Sequence, residues 1–596
     1  MKVVRLDISN FRGVKSAELY FNNHNLLIGA NNVGKSTICE ALDLVLGPDR
    51  LSKYPAIEEY DFHNSIYMDE AGQLTKIKIE VILTELSEEY QSLINHHIEF
   101  WDFKRNVVLS EGELAQVDAA DTTPCLRLEF HGVYDPEEDE FVAKTYFSHS
   151  PDEDEGELKE VSKNVKRKIG FLYLRALRTG SRALSLERGS LLDLILRLGE
   201  VRPKLWEDVR KTLLKLDLDE ATKVLRPVLN QIENRVAEYI PVHAGGQSTK
   251  IFVSQLTREH LRKTLAFFLT MNAEQEPVPF HEVGTGTLNA LVLALLSFIA
   301  ELKKDNVIFA MEEPEIALPP HTHRRIIKYL LENTTQSFVT SHSPYVIERF
   351  DPEQILLLKR EPGSKLSGQN IAVKSTLKPK HYKRQIRRSI AEALLGKAVI
   401  VVEGLTEYEL LEKSAELLEG ATADNYPLDL SGVTIFDAGG DGNLSEYGSF
   451  FKSCGLSTFA FYDKKVRRDE EKKAIADNFT LNFETAYEGS EKLLAQEIST
   501  DLQWKFLSAL KAAGKLSELP DSQPADSDLQ RITIQVCKDK KGDGRAAELL
   551  GYCDGNSVPP SIKGFLDQIY TAFPKQKPMH MIVDPSSASE PETNGA

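Results

Sequence analysis

Gly29-Ala-Asn31-Asn32-Val-Gly34-Lys35-Ser36-Thr37 decides how the first half of this chain is read. Asn25-Leu-Leu-Ile-Gly29 leads into it as a strand, and Lys35 to Leu46 reads as the helix that follows, stopped by Gly47-Pro48. The pattern GxxxxGK[ST] between strand and helix is a phosphate-binding loop. Its glycines let backbone N–H groups curl round the phosphates of a nucleoside triphosphate. Lys35 reaches the β/γ-phosphates, Ser36 offers a hydroxyl to Mg²⁺, and the helix N-terminus adds partial positive charge. The expected nucleotide set is therefore Gly29, Asn31, Asn32, Gly34, Lys35, Ser36 and Thr37.

The matching half lies far downstream. Val307-Ile-Phe-Ala-Met-Glu312-Glu313-Pro314-Glu315 is an apolar strand ending in adjacent acids. Glu312 is placed to hold Mg²⁺ through water and Glu313 to polarise the attacking water. Gln336-Ser-Phe-Val-Thr340 is another buried strand, and His342, in Thr340-Ser341-His342-Ser343-Pro344, is placed to contact the γ-phosphate.

A second apolar run ends in acid at Ala398-Val-Ile-Val-Val-Glu403-Gly404, with Glu407 one helical turn on. Both acids can face one ion, and Gly404 would permit a sharp turn. Val433-Thr-Ile-Phe-Asp437 and Thr458-Phe-Ala-Phe-Tyr-Asp463 read as further strands. In a parallel sheet their ends converge at one edge, which brings Asp463 towards Glu403.

Bulk properties set limits. At 596 residues the chain should form several domains. A net charge of −18 provides no global basic field for DNA or an anionic membrane, which argues against a DNA-coating role but leaves room for a local basic groove. The five scattered cysteines include no CxxC pair, which speaks against a disulfide framework or zinc ribbon and fits a reducing cytosol. The first apolar stretch is broken by charges, so no signal peptide is expected, and Leu288 to Ala300 is too short to span a bilayer. A cytoplasmic location follows.

Residues 2–9, Lys76–Leu83 and Cys125–Phe130 alternate as strands do, Pro136–Glu140 reads as a hairpin turn, and Ile169–Leu174 as a strand. Ser150–Glu160 reads as a surface loop, and Lys250–Val253 as a strand that resumes the first domain. Between them, Leu191 to Ile240 carries apolar residues at three- and four-residue intervals among charges. It reads either as a packed helical subdomain or as a dimerisation arm. The expected domains are 1–180 and 249–380 for an ATPase interrupted by a helical arm at 181–248, then 385–580 for the second α/β domain and 581–596 for a disordered tail.

These residues carry a family resemblance. Ile8-Ser-Asn10-Phe11-Arg12-Gly13, the Glu312-Glu313-Pro314-Glu315 motif and Ser341-His342-Ser343-Pro344 resemble the ABC-type ATPases of the SMC-like and RecF-like group. That group sandwiches ATP between two heads, with a signature loop acting in trans. His281-Glu-Val-Gly284-Thr-Gly286-Thr287 is the candidate, although it departs from the LSGGQ consensus. Asp61 is a candidate for the glutamine-loop position. The sandwich implies a homodimer.

Val399–Glu403 with Glu407 resembles the first strand and helix of a Toprim domain, and Asp463 fits the first acid of its DxD motif. The second acid is missing, because Lys465 occupies its place, with Asp469 or Glu470 as candidate substitutes. Glu491, with Glu484 and Glu488 nearby, resembles the acidic segment of Toprim nucleases, and Lys541 matches a lysine expected near the scissile phosphate.

An ABC ATPase followed by Toprim resembles the overcoming-lysogenization-defect (OLD) nucleases over roughly residues 1–575, with spacing closest to the subclass associated with a UvrD-like helicase. The resemblance implies an α/β fold: a P-loop head with an inserted dimerisation arm, then a Rossmann-like Toprim domain. It implies ATP, and Mg²⁺ or Mn²⁺, as cofactors and DNA as substrate, in phage defence or DNA processing. The expected mechanism uses two divalent ions ~4 Å apart. Glu403, Glu407, Asp463 and Glu491 hold them, Glu403 doubles as base, and Lys541 neutralises charge on the phosphate. The competing reading is an ATP-gated DNA-binding or repair scaffold with a degenerate Toprim domain. A primase or topoisomerase finds less support, because neither a zinc module nor room for a tyrosine-bearing cleavage domain is evident.

Overall fold

In the computed structural model the chain is described except at residues 49, 53–54, 150–157, 175–184, 187–189, 200, 215–224, 238–256, 271–275, 285–286, 289–290, 293, 296–297, 300–306, 316–319, 372–386, 423–424, 517, 540–543 and 576–596. Two compact units divide between Val373 and Lys374.

The N-terminal unit is built on one mixed sheet. Its order is Val107–Leu109, Ile98–Asp102, Thr122–Asp135, Ile77–Thr84, Lys2–Phe11, Val14–Tyr20, Lys365–Asn370, Ile355–Glu361, His24–Ile28, Gln336–Thr340, Ile308–Glu312 and Phe171–Leu174, with Glu140–Phe147 pairing Thr122–Asp135. The first six strands in this order pair antiparallel, and the last five are mutually parallel. The parallel strands His24–Ile28, Ile308–Glu312 and Gln336–Thr340 are almost wholly buried, as expected for strands covered on both faces. Their registers, Met311 opposite Val339 and Val339 opposite Leu26, bring their carboxyl ends to one edge.

Helix Lys35–Leu46 takes the limits expected from the sequence and buries Ile38, Ala41, Leu42, Leu44, Val45 and Leu46 in the core. Gln336, fully buried, accepts from Val3 N at 2.8 Å and donates to the carbonyls of Val3 and Asn22 at 2.7 and 2.9 Å. It thereby ties the first strand to the amino end of strand Gln336–Thr340, because a buried amide left unpaired would be costly.

One sequence reading shifts. Ile169 ends helix Lys163–Ile169 rather than starting a strand, since Gly170 takes φ 77° and turns the chain into Phe171–Leu174. The span from Leu191 holds helices Leu191–Leu198, Arg202–Leu214 and Leu225–Ala237, with Leu191, Trp206 and Leu229 buried and Val228 and Ile232 exposed. The strand expected at Lys250–Val253 and most of the loop expected at Ser150–Glu160 lie outside the described residues.

The C-terminal unit carries a four-stranded parallel sheet ordered Val433–Asp437, Ala398–Val402, Ser457–Tyr462, Leu481–Glu484. Alternate residues point to opposite faces. Ala398, Ile400 and Val402 enter a core with Leu410, Leu411, Leu494, Phe506 and Phe565, and Phe436, Tyr447 and Phe451 form a separate aromatic cluster with centroids 4.8–6.5 Å apart. No helix among the described residues is long and apolar enough to cross a membrane.

Candidate nucleotide site and carboxylate site

In the N-terminal unit the loop after His24–Ile28 opens a cleft of about 420 Å³ lined by Gly13, Asn31, Asn32, Gly34, Lys35, Ser36, Thr37, Glu313, His342 and Arg360. At Gly29 the backbone takes φ 150°, and a Cβ would sit 2.7 Å from the Leu358 carbonyl, so this position needs glycine. Lys35 Nζ donates to Gly29 O and Ala30 O at 2.9 and 3.0 Å. Burial lowers its pKa to about 8 against the opposing pull of Glu313 and Glu315.

Glu312 is buried with Oε1 lacking a hydrogen-bond partner, a hard oxygen suited to a hydrated cation. Glu313 is aimed into the cleft by a left-handed backbone (φ 44°), its N–H donating to Thr340 O at 2.9 Å. Glu315 accepts from Ser341 Oγ at 2.9–3.0 Å and from His342 N–H at 2.6 Å, which fixes the loop carrying His342. Burial, then Lys35, lowers the His342 pKa, favouring neutral imidazole.

The sequence reading missed Arg360 and Gly13. Arg360 Nη2 donates to Val33 O at 3.2 Å and packs beside Gly13, where a Cβ would meet it at 2.9 Å. Asp61 is not among the cleft-lining residues. It is buried and grips Arg12 at 2.8 Å, while Arg12 also reaches Glu40 at 2.7 Å. Gly284 is described but does not line the cleft, and Gly286 lies outside the described residues.

In the C-terminal unit the strand ends gather Glu403 and Asp463, with Glu407 from helix Leu405–Ala421 and Glu491 from helix Ser490–Glu497, all buried. Gly404 has φ −164°, an extended conformation open to any residue, so its expected role in a sharp turn is not needed. Ser490 Oγ donates to Glu407 Oε1 at 2.7 Å.

Asp463 Oδ1 is buried without a hydrogen-bond partner. Burial, then Glu407, Glu403 and Glu491, push its carboxyl up to about 7 against the opposing effect of Lys465. Burial also raises Glu403, with Lys465 working in the opposite direction. Among the described residues no three His, Cys, Asp or Glu side chains converge closely enough to hold an ion as they stand. The donors nevertheless suit one in kind: several buried carboxylates, one with an orphaned oxygen.

The cations are the surprise. Lys465 Nζ donates to Glu403 Oε2 and lies 3.6 Å from Asp441. Arg467, only 8% exposed, donates to Glu403 Oε1 at 3.1 Å, Asp441 Oδ1 at 2.7 Å, Glu484 Oε1 at 2.7 Å and Asp463 O at 3.1 Å. Arg467 and Lys465 hold Asp441 below the usual carboxylate range although burial alone would raise it. Asp441 and Arg467 were missed in the sequence. Gly439-Gly440-Asp441 at a helix start was the available signal for the first, whereas Arg467 was hidden in a charged run. Asp469 and Glu470 are exposed on helix Asp469–Asn478 and do not replace the missing acid. Glu488 is exposed and pairs with Lys492 at 2.8 Å. Lys541 lies outside the described residues.

Comparison with known proteins matches this architecture. The AAA ATPase domain family matches residues 1–347, and the overcoming lysogenization defect protein-like TOPRIM domain matches residues 394–464. The chain belongs to the AAA ATPase domain family and carries a segment similar to the OLD-like TOPRIM domain. It is 20% identical over 529 residues to Endonuclease GajA of Bacillus cereus (strain VD045), covering 84% of this chain and 81% of that protein. It is 21% identical over 487 residues to the OLD nuclease of Thermus scotoductus (strain ATCC 700910 / SA-01), covering 78% and 84%. The solved C-terminal region of the Burkholderia pseudomallei OLD protein matches 30% of this chain and 98% of its own length, at 16% identity and a TM-score of 0.23. The chain is thus an α/β enzyme that joins an ATPase to a TOPRIM nuclease domain, a combination implying nucleotide and divalent-metal use in general.

Proposed function

We propose that this chain is an ATP-binding DNA endonuclease that hydrolyses phosphodiester bonds with divalent metal at the C-terminal carboxylate cluster. The observation that carries the reading is Asp463. A buried acid with an orphaned oxygen, surrounded by Glu403, Glu407 and Glu491, is stabilised by a cation. Asp463, Glu407 and Glu491 would hold the metal, which would supply Lewis-acid stabilisation and an activated water. Glu403 would orient the site by accepting from Asp463 N–H at 3.2 Å.

In the N-terminal unit Lys35 and Ser36 would bind the triphosphate and its Mg²⁺, with Glu312 on the metal and Glu313 and His342 at the γ-phosphate. The reading extends to a homodimer of heads, with Gly284 and Gly286 acting in trans, and to a role in phage defence or DNA processing. A UvrD-like helicase partner belongs to the same reading and is tested by co-purification. Plasmid DNA incubated with Mg²⁺ or Mn²⁺, with and without ATP, tests it: nicking that EDTA stops and Glu403→Ala abolishes is expected.

The second reading is an ATP-gated DNA-binding scaffold. The Lys465 contact on Glu403 favours it, since a cation occupies a carboxylate expected to bind metal. DNA binding without cleavage under any metal condition would support the scaffold.

A further inference from the structure

We infer that the carboxylate cluster takes one divalent ion, at Asp463, and that the Lys465 ammonium stands in the place and charge of a second. This rests on the nuclease reading above and specifies its metal stoichiometry.

Both oxygens of Glu403 are already engaged by the protein. Oε1 accepts from Asp463 N–H at 3.2 Å and Arg467 Nη2 at 3.1 Å, and Oε2 accepts from Lys465 Nζ. Arg467 is not placed to swing away. Its side chain is 5% exposed, lies 4.6 Å from the centre of the Tyr462 ring, and donates to Asp463 O. Asp441 and Glu484 also pair with Arg467 at 2.7 Å, so this half of the cluster carries its own positive charge.

The other half differs. Neither Asp463 nor Glu407 has an ion-pair partner among the described residues. Asp463, 6% exposed, leaves Oδ1 unpartnered beside them. A hard divalent ion seeks such oxygens. An ion at Glu403 would have to displace Lys465 and sit against the fixed guanidinium, where like charges repel strongly at low dielectric. The position two residues after Asp463, where a DxD motif would place the acid for a second ion, is Lys465 itself.

Mn²⁺ binding to the nucleotide-free full chain, counted by titration and read by electron paramagnetic resonance, tests this without relying on turnover. The expected result is one Mn²⁺ per chain with an isolated-ion spectrum, lost in Asp463→Asn. Lys465→Asp should bind two, with spin–spin coupling between them. Lys465→Met, which guards against misfolding of the acidic variant, should keep one ion and cleave DNA at least tenfold more slowly. A coupled pair in the wild type, a single ion in Lys465→Asp, or full-speed cleavage by Lys465→Met overturns the inference and leaves the nuclease reading standing. No Mn²⁺ bound by the wild type overturns both.

Discussion

Replacing Asp463 by Asn should make the metal-free protein more stable while destroying its metal response. Burial and three neighbouring glutamates push this carboxyl from 3.8 to about 7. The gap, at about 1.4 kcal/mol for each pH unit, sets a ceiling of about 4 kcal/mol. Because the folded-state pKa is raised, the folded chain binds the extra proton between those two values. Stability therefore falls as pH rises through the window, and the penalty is fully present above pH ~7. Asn cannot ionise, so the variant should gain about 2–4 kcal/mol at pH 8 in EDTA and nothing at pH 4. Differential scanning calorimetry should show the transition of the C-terminal unit raised by roughly 5–15 °C at pH 8. Added Mg²⁺ should stabilise the wild type and leave Asp463→Asn unmoved. A variant less stable than the wild type at pH 8, or a difference independent of pH, would refute the reasoning.

Three further outcomes are expected. Lys35→Ala removes the cation from the triphosphate and should weaken binding of a fluorescent ATP analogue at least ~100-fold, about 3 kcal/mol; unchanged affinity would remove Lys35 from the site. Glu313→Gln should bind ATP normally but slow phosphate release at least ~100-fold, as measured by steady-state hydrolysis. Lys166 is buried, donates to Thr145 Oγ1 at 2.8 Å and Leu44 O at 3.2 Å, and burial lowers its pKa to about 7. Its lowered folded-state pKa means that wild-type stability rises from pH ~7 towards ~10, and Lys166→Met should flatten that rise in denaturant titrations.

The parts of the fold legible in the sequence are those where local pattern and tertiary role agree. The phosphate-loop helix Lys35–Leu46 and strand Gln336–Thr340 have the limits read from the sequence because caps and apolar runs coincide with burial. Strand Lys365–Asn370, Lys-Leu-Ser-Gly-Gln-Asn, has no strand signature. It forms because it pairs with Ile355–Glu361 on one side and Val14–Tyr20 on the other, a tertiary preference overriding propensity.

The site divides in the same way. Glu403, Glu407 and Asp463 stand at predictable strand and helix ends. Arg467 sits in Lys464-Lys-Val-Arg-Arg-Asp-Glu-Glu471, which reads as solvated surface. Only the fold brings its guanidinium back over Tyr462 and onto Glu403, and long-range contacts of that kind leave no periodic trace. Arg360 reaches the nucleotide cleft for a similar reason, since its strand lies beside His24–Ile28 in the sheet but far from it in sequence.

The most direct test of the central claim is supercoiled-plasmid cleavage by wild type, Glu403→Ala and Asp463→Asn in Mg²⁺, Mn²⁺ or EDTA, with ATP binding measured on the same preparations. Metal-dependent cleavage by the wild type, lost in both variants while ATP binding persists, is the predicted result. Cleavage retained by Asp463→Asn, or by the wild type in EDTA, would contradict it.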